Sequence, residues 1–312
     1  MLFRSAMFRG KMDGAWPYSL YSEDIDRELA EAHQLEGDLA QALANNELRV
    51  FYQPKMDLAK GGIQGMEALV RWIHPVHGMI SPVQFIPVAE KTGLIIPIGA
   101  WILRQACKDT RAWVEQGHDL KVAVNLSGRQ FEDDQLLNDI KGALDDNNLE
   151  ARHLELEVTE SALMDDMEAG MTLLNAVRAM GITVAIDDFG TGYSSLSYLK
   201  KLPLHTLKID QSFVRDVITD ADDAAIVTTI VGMANSLNLK IVAEGIETQE
   251  HSGFLRDLRC QIGQGYLFSK PVPADEFGTF LNGYRIEEVS LPPASGGTAW
   301  ADVRGVVQDM VK

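Results

Sequence analysis

Short apolar, β-prone runs alternating with amphipathic runs of helical length constrain this chain more than any other feature. The strand-like segments are "LRVFYQPKMDL", "GIQGMEALVRW", "LKVAVNLS", "HLELEVTE", "ITVAIDDFG", "TLKIDQSF", "LKIVAEGIE" and "IGQGYLFSKPV", eight in all. Between most of them lie runs such as 97–116, 166–180 and 222–237, the length of crossover helices. Repeated units in this number predict an α/β fold, a TIM-like (β/α)8 barrel, ahead of a doubly wound open sheet. Only "AKGG" joins the first run to the second, too short for a right-handed crossover, so the first strand is expected to run antiparallel.

The barrel is bounded at 46–285, with a segment 1–45 before it and a tail 286–312 rich in Pro, Gly, Ser and Ala. From Ser22 the preceding segment sets Ile25, Leu29, Ala32, Leu35, Leu39 and Leu43 at spacings of three and four, a helix with one apolar stripe. That stripe packs on its own domain or serves as a linker helix. The 312 residues are enough for one large core.

Lysine and arginine number 28 against 45 acidic residues, a net charge of -17 that repels nucleic acid polymers and anionic membrane surfaces. A phosphate-bearing ligand would need that field inverted locally, which a bound divalent cation does. Cys107 and Cys260 have no metal-ligand spacing and suggest no disulfide framework, which fits a reducing cytoplasm. The most apolar segment, "LIIPIGAWIL", is broken by Pro97 and Gly99 and is too short to span a bilayer, so no membrane contact is expected of this chain.

Polar residues interrupt the strands near their C-terminal ends: Glu67, Asn125, Glu157, the pair Asp187 and Asp188, Lys208, Glu244 and Gln264. Taken singly each has an ordinary role, such as capping a helix, closing an Asx turn or, for Lys208, snorkelling at the surface. In a barrel those ends share one rim, where barrel enzymes build their sites. Five carboxylates would then surround one mouth, and like charges ~4 Å apart repel by roughly 4 kcal/mol per pair at an effective dielectric near 20. Such a cluster needs protons or metal ions. Carboxylates and one amide, without His or Cys at ligand spacing, select Mg²⁺, Mn²⁺ or Ca²⁺ over Zn²⁺. The adjacent pair Asp187 and Asp188 suits a two-metal site in which one carboxylate bridges, a device for in-line attack of water on a phosphodiester, with Lys208 orienting the nucleophile.

With these residues in place the chain closely resembles the EAL family of cyclic di-GMP phosphodiesterases, through "FYQP", "EALVRW", "FIPVAEKTGLI", "VNLS", "EVTES", "DDFGTGYSSL", "LKID", "EGIET" and "QGYLFSKP" in unbroken order over about residues 48–280. The resemblance implies metal-dependent hydrolysis of cyclic di-GMP to linear pGpG, two Mg²⁺ or Mn²⁺ ions with Ca²⁺ inhibitory, and a homodimer. It implies that Glu67, Asn125, Glu157 and Asp187 hold one ion and Asp187, Asp188 and Glu244 the other. Lys208 matches the lysine that contacts the water, and Gln53, Leu69, Arg71, Glu247 and Gln264 match positions near the nucleotide. The start of the chain resembles the end of a GGDEF domain plus connector, with no GGDEF signature in the sequence. Arg259 and Gln261 stand where the family more often has Gly and Asp, and neither is an expected ligand. The alternatives are a catalytically inactive EAL module that binds cyclic di-GMP or a partner protein, and a hydrolase of another phosphodiester.

Glu160 lies three residues after Glu157, an odd separation that sets the two on opposite faces of a continuing strand. It caps a helix or, as the family also suggests, clamps the loop "FGTGYSS" so that Asp187 and Asp188 stay aligned.

Overall fold

The computed structural model describes residues 35–165, 167–190 and 199–284, so most of the proposed linker helix and the whole tail beyond 285 lie outside the described residues. The described residues form two compact units, one of residues up to Arg49 with Arg71–Ile98, the other of Val50–Val70 with Gly99 onward.

In the first unit residues 35–42 are helical, and Leu39 and Ala42 are buried. Trp72, fully buried, donates from Nε1 to Glu47 at 2.9 Å and meets Phe85 edge to face with ring centroids 5.8 Å apart. Phe85 and Ala89 are the buried face of the helix Pro82–Thr92. That helix begins with Pro at its first position, where a missing N–H costs nothing, and ends at Gly93 with φ 79°.

The strands are β1 (Leu48–Asp57), β2 (Ile63–His74), β3 (Gly78–Ile80), β4 (Val122–Leu126), β5 (Leu154–Thr159), β6 (Thr183–Phe189), β7 (Thr206–Ile209), β8 (Lys240–Ala243), β9 (Ile262–Gly263) and β10 (Val272–Pro273). The order β1-β9-β8-β7-β6-β5-β4-β2 closes through a β1–β2 pairing, giving an eight-stranded barrel. All neighbours from β2 through β4 to β9 are parallel, and β1 runs antiparallel, as the short connection 58–62 requires. Asp57 closes that connection by accepting from the N–H groups of Ala59 and Lys60 at 2.9 and 2.8 Å.

Crossover helices Ile95–Glu115, Met167–Ala179 and Ala221–Ser236 fall where the amphipathic runs place them. In β5, Leu154, Leu156 and Val158 share one face while Glu155 and Glu157 share the other, the barrel interior. Two features differ from the sequence expectation. Glu67 is the fifth residue of a twelve-residue strand, because β2 continues past the barrel to pair with β3 at Trp72, Ile73 and His74. The run "IGQGYLFSKPV" is two dipeptide strands separated by a turn, in which Phe268 N–H donates to Gly265 C=O at 3.1 Å.

Candidate active site

The end of β6 is shaped by a break in its ladder. The register with β7 shifts between Ile186 and Phe189, and Asp188 takes φ 54°, a left-handed conformation that Asp tolerates better than most residues. Strict alternation would send adjacent carboxylates to opposite faces, and a bulge re-aims one of them. Oxygen atoms of Asp187, Asp188 and Glu244, one from each, lie within 4.8 Å of one another. Glu244 follows β8 directly and is kept in place by its N–H donating to Ile209 C=O at 3.1 Å.

Lys208, 1% exposed, stands at the centre. Its Nζ lies 2.5 Å from Glu157 Oε2, 2.6 Å from Glu244 Oε1, 3.0 Å from Asp187 Oδ2 and 3.8 Å from Glu67 Oε2. It is no snorkelling surface residue. Asn125 Nδ2 donates to Glu67 Oε1 at 2.7 Å, and Gln264 Nε2 donates to Glu67 Oε2 at 2.6 Å and to Gln53 Oε1 at 3.0 Å. Gln53 in turn donates to the Ser269 carbonyl at 3.0 Å. Glu67, Asn125, Glu157, Asp187, Lys208, Glu244, Gln53 and Gln264 thus form one connected polar group.

Sequence reasoning missed Lys55 and Glu155. Lys55 Nζ lies 2.5 Å from Glu157 Oε1 and 3.2 Å from Glu155 Oε1, and all three side chains are buried. Glu155 Oε2 accepts from the hydroxyls of Thr206 at 3.0 Å and Thr183 at 3.3 Å. The available signal was phase: Lys55 is two residues from Gln53 and Glu155 two from Glu157, so each shares its neighbour's face.

The electrostatics follow from burial in a crowded acidic site. Burial pushes Glu244 up to about 8, with Asp187 and Glu67 adding to the rise and Lys208 opposing it. Burial, Asp187 and Asp210 raise Asp188 to about 6. Burial likewise raises Glu67. Glu157 goes the other way: burial would raise it, but Lys208 and Lys55 outweigh that and hold it at about 2. Desolvation disfavours the Lys208 ammonium, yet the acids around it keep it well above the ordinary lysine value. Lys208 and Lys55 cannot balance all of Glu67, Glu157, Asp187, Asp188 and Glu244, and burial of the surplus acids favours their protonated forms, the condition under which a divalent cation is favourable. The donors are all hard oxygens, which fits Mg²⁺ or Mn²⁺.

The remaining expected residues are placed differently. Leu69 and Arg71 follow Glu67 on β2, Leu69 in the barrel unit and Arg71 among the residues of the first unit. Glu247 is exposed, and its backbone N–H donates to His251 Nδ1 at 3.5 Å. Glu160 begins the helix Glu160–Asp165 where β5 ends, so it stands on neither strand face. It is buried, and its two carboxylate oxygens have no hydrogen-bond partner among the described residues. Residues 191–198 of the loop after Gly190 lie outside the described residues.

A family model for the EAL domain matches residues 36–271. The chain is 48% identical over 273 residues to the bifunctional diguanylate cyclase/cyclic di-GMP phosphodiesterase MucR of Pseudomonas aeruginosa, covering 87% of this chain and 40% of that protein. It is 42% identical over 289 residues to the cyclic di-GMP phosphodiesterase NbdA of the same organism, covering 92% of this chain and 37% of that one. The chain therefore spans about two fifths of the length of these curated relatives. A solved structure of the PaMucR phosphodiesterase in complex with c-di-GMP superimposes with a TM-score of 0.76 at 51% identity, covering 78% of this chain and 99% of that one.

Proposed function

This chain belongs to the EAL domain family, and from that premise we propose that its barrel hydrolyses cyclic di-GMP to linear pGpG with the help of two Mg²⁺ or Mn²⁺ ions. The observation that carries this reading is the complete acid set, Glu67, Glu157, Asp187, Asp188 and Glu244, gathered around one buried lysine at one end of the barrel. A module that only binds the nucleotide has no need of so costly a cluster, since buried charges must each be compensated.

Glu67, Asn125, Glu157 and Asp187 would hold one ion, and Asp187, Asp188 and Glu244 the other. Bound divalent cations supply the charge that activates water and stabilises the leaving oxygen. The chain's own groups do the positioning. Lys208 is buried where its ammonium reaches the acids from three strands, so it is set to donate a hydrogen bond to a water held among them. Hydroxide adds to phosphorus and the ribose 3′ oxygen leaves, which gives the 5′-phosphate of pGpG and balances as water added across one P–O bond. Gln53 and Gln264, linked to each other and to Glu67, lie beside the reacting centre as nucleotide contacts, and Leu69, Arg71 and Glu247 complete that set by resemblance. Glu160, with both oxygens free among the described residues, has the donor capacity of the following loop as its natural partner.

The test is incubation of the purified chain with cyclic di-GMP and Mg²⁺ or Mn²⁺, with nucleotide chromatography as the readout. Appearance of pGpG, abolished by excess chelator and suppressed by Ca²⁺, is the expected result. Tight nucleotide binding without product would make the chain a receptor instead, and turnover in chelator would remove the two-ion reading. No described helix is long and apolar enough to cross a membrane. A cytoplasmic site of action and a homodimer complete the proposal.

A further inference from the structure

A (β/α)8 barrel normally fills its interior with layers of Val, Ile and Leu. Beneath the acid cluster this chain does something costlier. Lys55 enters from β1, the antiparallel strand, and its ammonium lies between Glu157 at 2.5 Å and Glu155 at 3.2 Å. Glu155 is itself held by Thr206 and Thr183, and Lys121 donates to the Thr183 hydroxyl at 3.0 Å. A buried ion pair rarely exceeds an apolar replacement in stability, so its use here needs another reason.

The two oxygens of Glu157 give that reason. Lys208 holds Oε2 and Lys55 holds Oε1, each at 2.5 Å, on a side chain with no solvent exposure. The two lysines are not equivalent. Lys208 also contacts Glu244 and Asp187, so it belongs to the mouth and shares its acids with any cation that enters. Among the described residues Lys55 makes no ion pair with either, and its other partner is Glu155, two residues back on the strand that carries Glu157. It therefore grips Glu157 from below, whatever occupies the mouth. We propose that Lys55 is a positioning residue that fixes the Glu157 carboxylate for cation binding, with Glu155, Thr206 and Thr183 as the fixture that aims it.

This rests on the reading of the acid cluster as a cation site, and the experiment separates the two. Mn²⁺ binding to the substrate-free protein is measured by calorimetry for wild type, Lys55→Met and Lys55→Arg, with thermal melts of each. Partners that orient a metal ligand are typically worth about 10–100-fold in affinity. Lys55→Met is expected to weaken Mn²⁺ binding by about 10-fold or more and, because Glu157 and Glu155 are left buried with one cation fewer, to lower the metal-free melting temperature. Lys55→Arg, which keeps the cation and its donors, should recover most of the affinity. If Lys55→Met fails to fold, Thr206→Val serves in its place, and by loosening Glu155 it should weaken Mn²⁺ binding in the same direction. A folded Lys55→Met that binds Mn²⁺ as tightly as wild type, or more tightly because a competing positive charge is gone, overturns the inference. So does Thr206→Val with unchanged affinity where it is the variant read. A wild type that binds no Mn²⁺ removes the cation site itself, and the inference with it.

Discussion

Glu244 and Asp188 are two groups that link the stability of the metal-free protein to pH. Both have folded-state values above their ordinary ones, about 8 and about 6, so the native state binds more protons than the unfolded chain across those windows. Their contribution to stability is complete below the unfolded carboxylate range and is lost as pH rises, for Asp188 by about 6 and for Glu244 by about 8. Glu157 has the opposite sign: its depressed value adds stability above the ordinary carboxylate range that is lost as pH falls toward about 2. In chelator, the melting temperature is therefore expected to fall between pH 5 and 8 (roughly the span over which a carboxyl held protonated must ionise), and Glu244→Gln should flatten that slope. An unchanged slope in the variant would show that Glu244 is not the group responsible. At the same scale, Glu160→Ala should lower turnover and raise the half-saturating Mg²⁺ concentration, with partial recovery at high metal, whereas Asp187→Asn should show no recovery because it removes a proposed bridging ligand. A Glu160→Ala enzyme with wild-type turnover and wild-type metal dependence would mean that no clamp exists.

Among the elements, the helix Gln249–Asp257 carries a local cost that can be removed. Beyond its end Arg259 sits at φ 67°, with its N–H donating to Arg256 C=O at 2.9 Å and the Cys260 N–H donating to Leu255 C=O at 2.9 Å. That is a position glycine fills without the steric penalty of a β-carbon. Arg259→Gly is expected to stabilise the protein by about 1 kcal/mol, the cost of a left-handed L-residue less the entropy glycine adds to the unfolded chain. A urea midpoint that stays put or moves down refutes this. Gly265 lies at the other extreme, since a β-carbon there would come within 2.2 Å of the Ile246 carbonyl oxygen and 2.3 Å of its nitrogen. The backbone of the "EGIE" segment would have to move, and Gly265→Ala should cost roughly 3 kcal/mol or more, in the range reserved for strain and overpacking.

These elements also show what the sequence could and could not reveal. The strand–helix alternation and the short first connection were legible because period-2 and helical patterns and loop length are local properties. The acids were legible because carboxylates at strand ends are out of place in an apolar run. The β6 bulge was not, since a register shift depends on how β7 pairs, and nothing in "AIDDFG" states that pairing. Lys55 escaped for a related reason. A lysine next to Pro54 in an otherwise mixed strand reads as a surface residue, and only its partner Glu157, 102 positions away in sequence, makes it an interior one. The division of "IGQGYLFSKPV" was hidden because the contact that forbids a side chain at residue 265 comes from Ile246.

At the scale of the whole molecule a net charge of -17 must coexist with the anionic nucleotide proposed as substrate in an acidic mouth. The proposed homodimer adds a second such charge to the assembly, and light scattering at micromolar concentration tests it, with a strictly monomeric and fully active protein as the contrary result. The charge problem itself gives a sharper test. The five acids share Lys208 at the mouth and Lys55 below Glu157, so in the metal-free protein part of the cluster is kept neutral by burial. A ligand that binds only the native state stabilises it by RT ln(1 + [L]/Kd), about 2.7 kcal/mol at one hundred times Kd. Saturating Mg²⁺ should thus raise the melting temperature, and the increment should grow with pH because Glu244 must lose its proton to serve as a ligand. Glu67→Ala separates the two consequences of crowding. It removes one crowded acid whose burial is itself unfavourable, along with the acceptor for Asn125 and Gln264, so its metal-free melting temperature should stay near wild type while its Mg²⁺ increment and its turnover collapse. A Glu67→Ala protein that keeps the full Mg²⁺ increment would place the stabilising cation elsewhere, because a carboxylate removed from a shared site cannot leave the cation's binding free energy untouched.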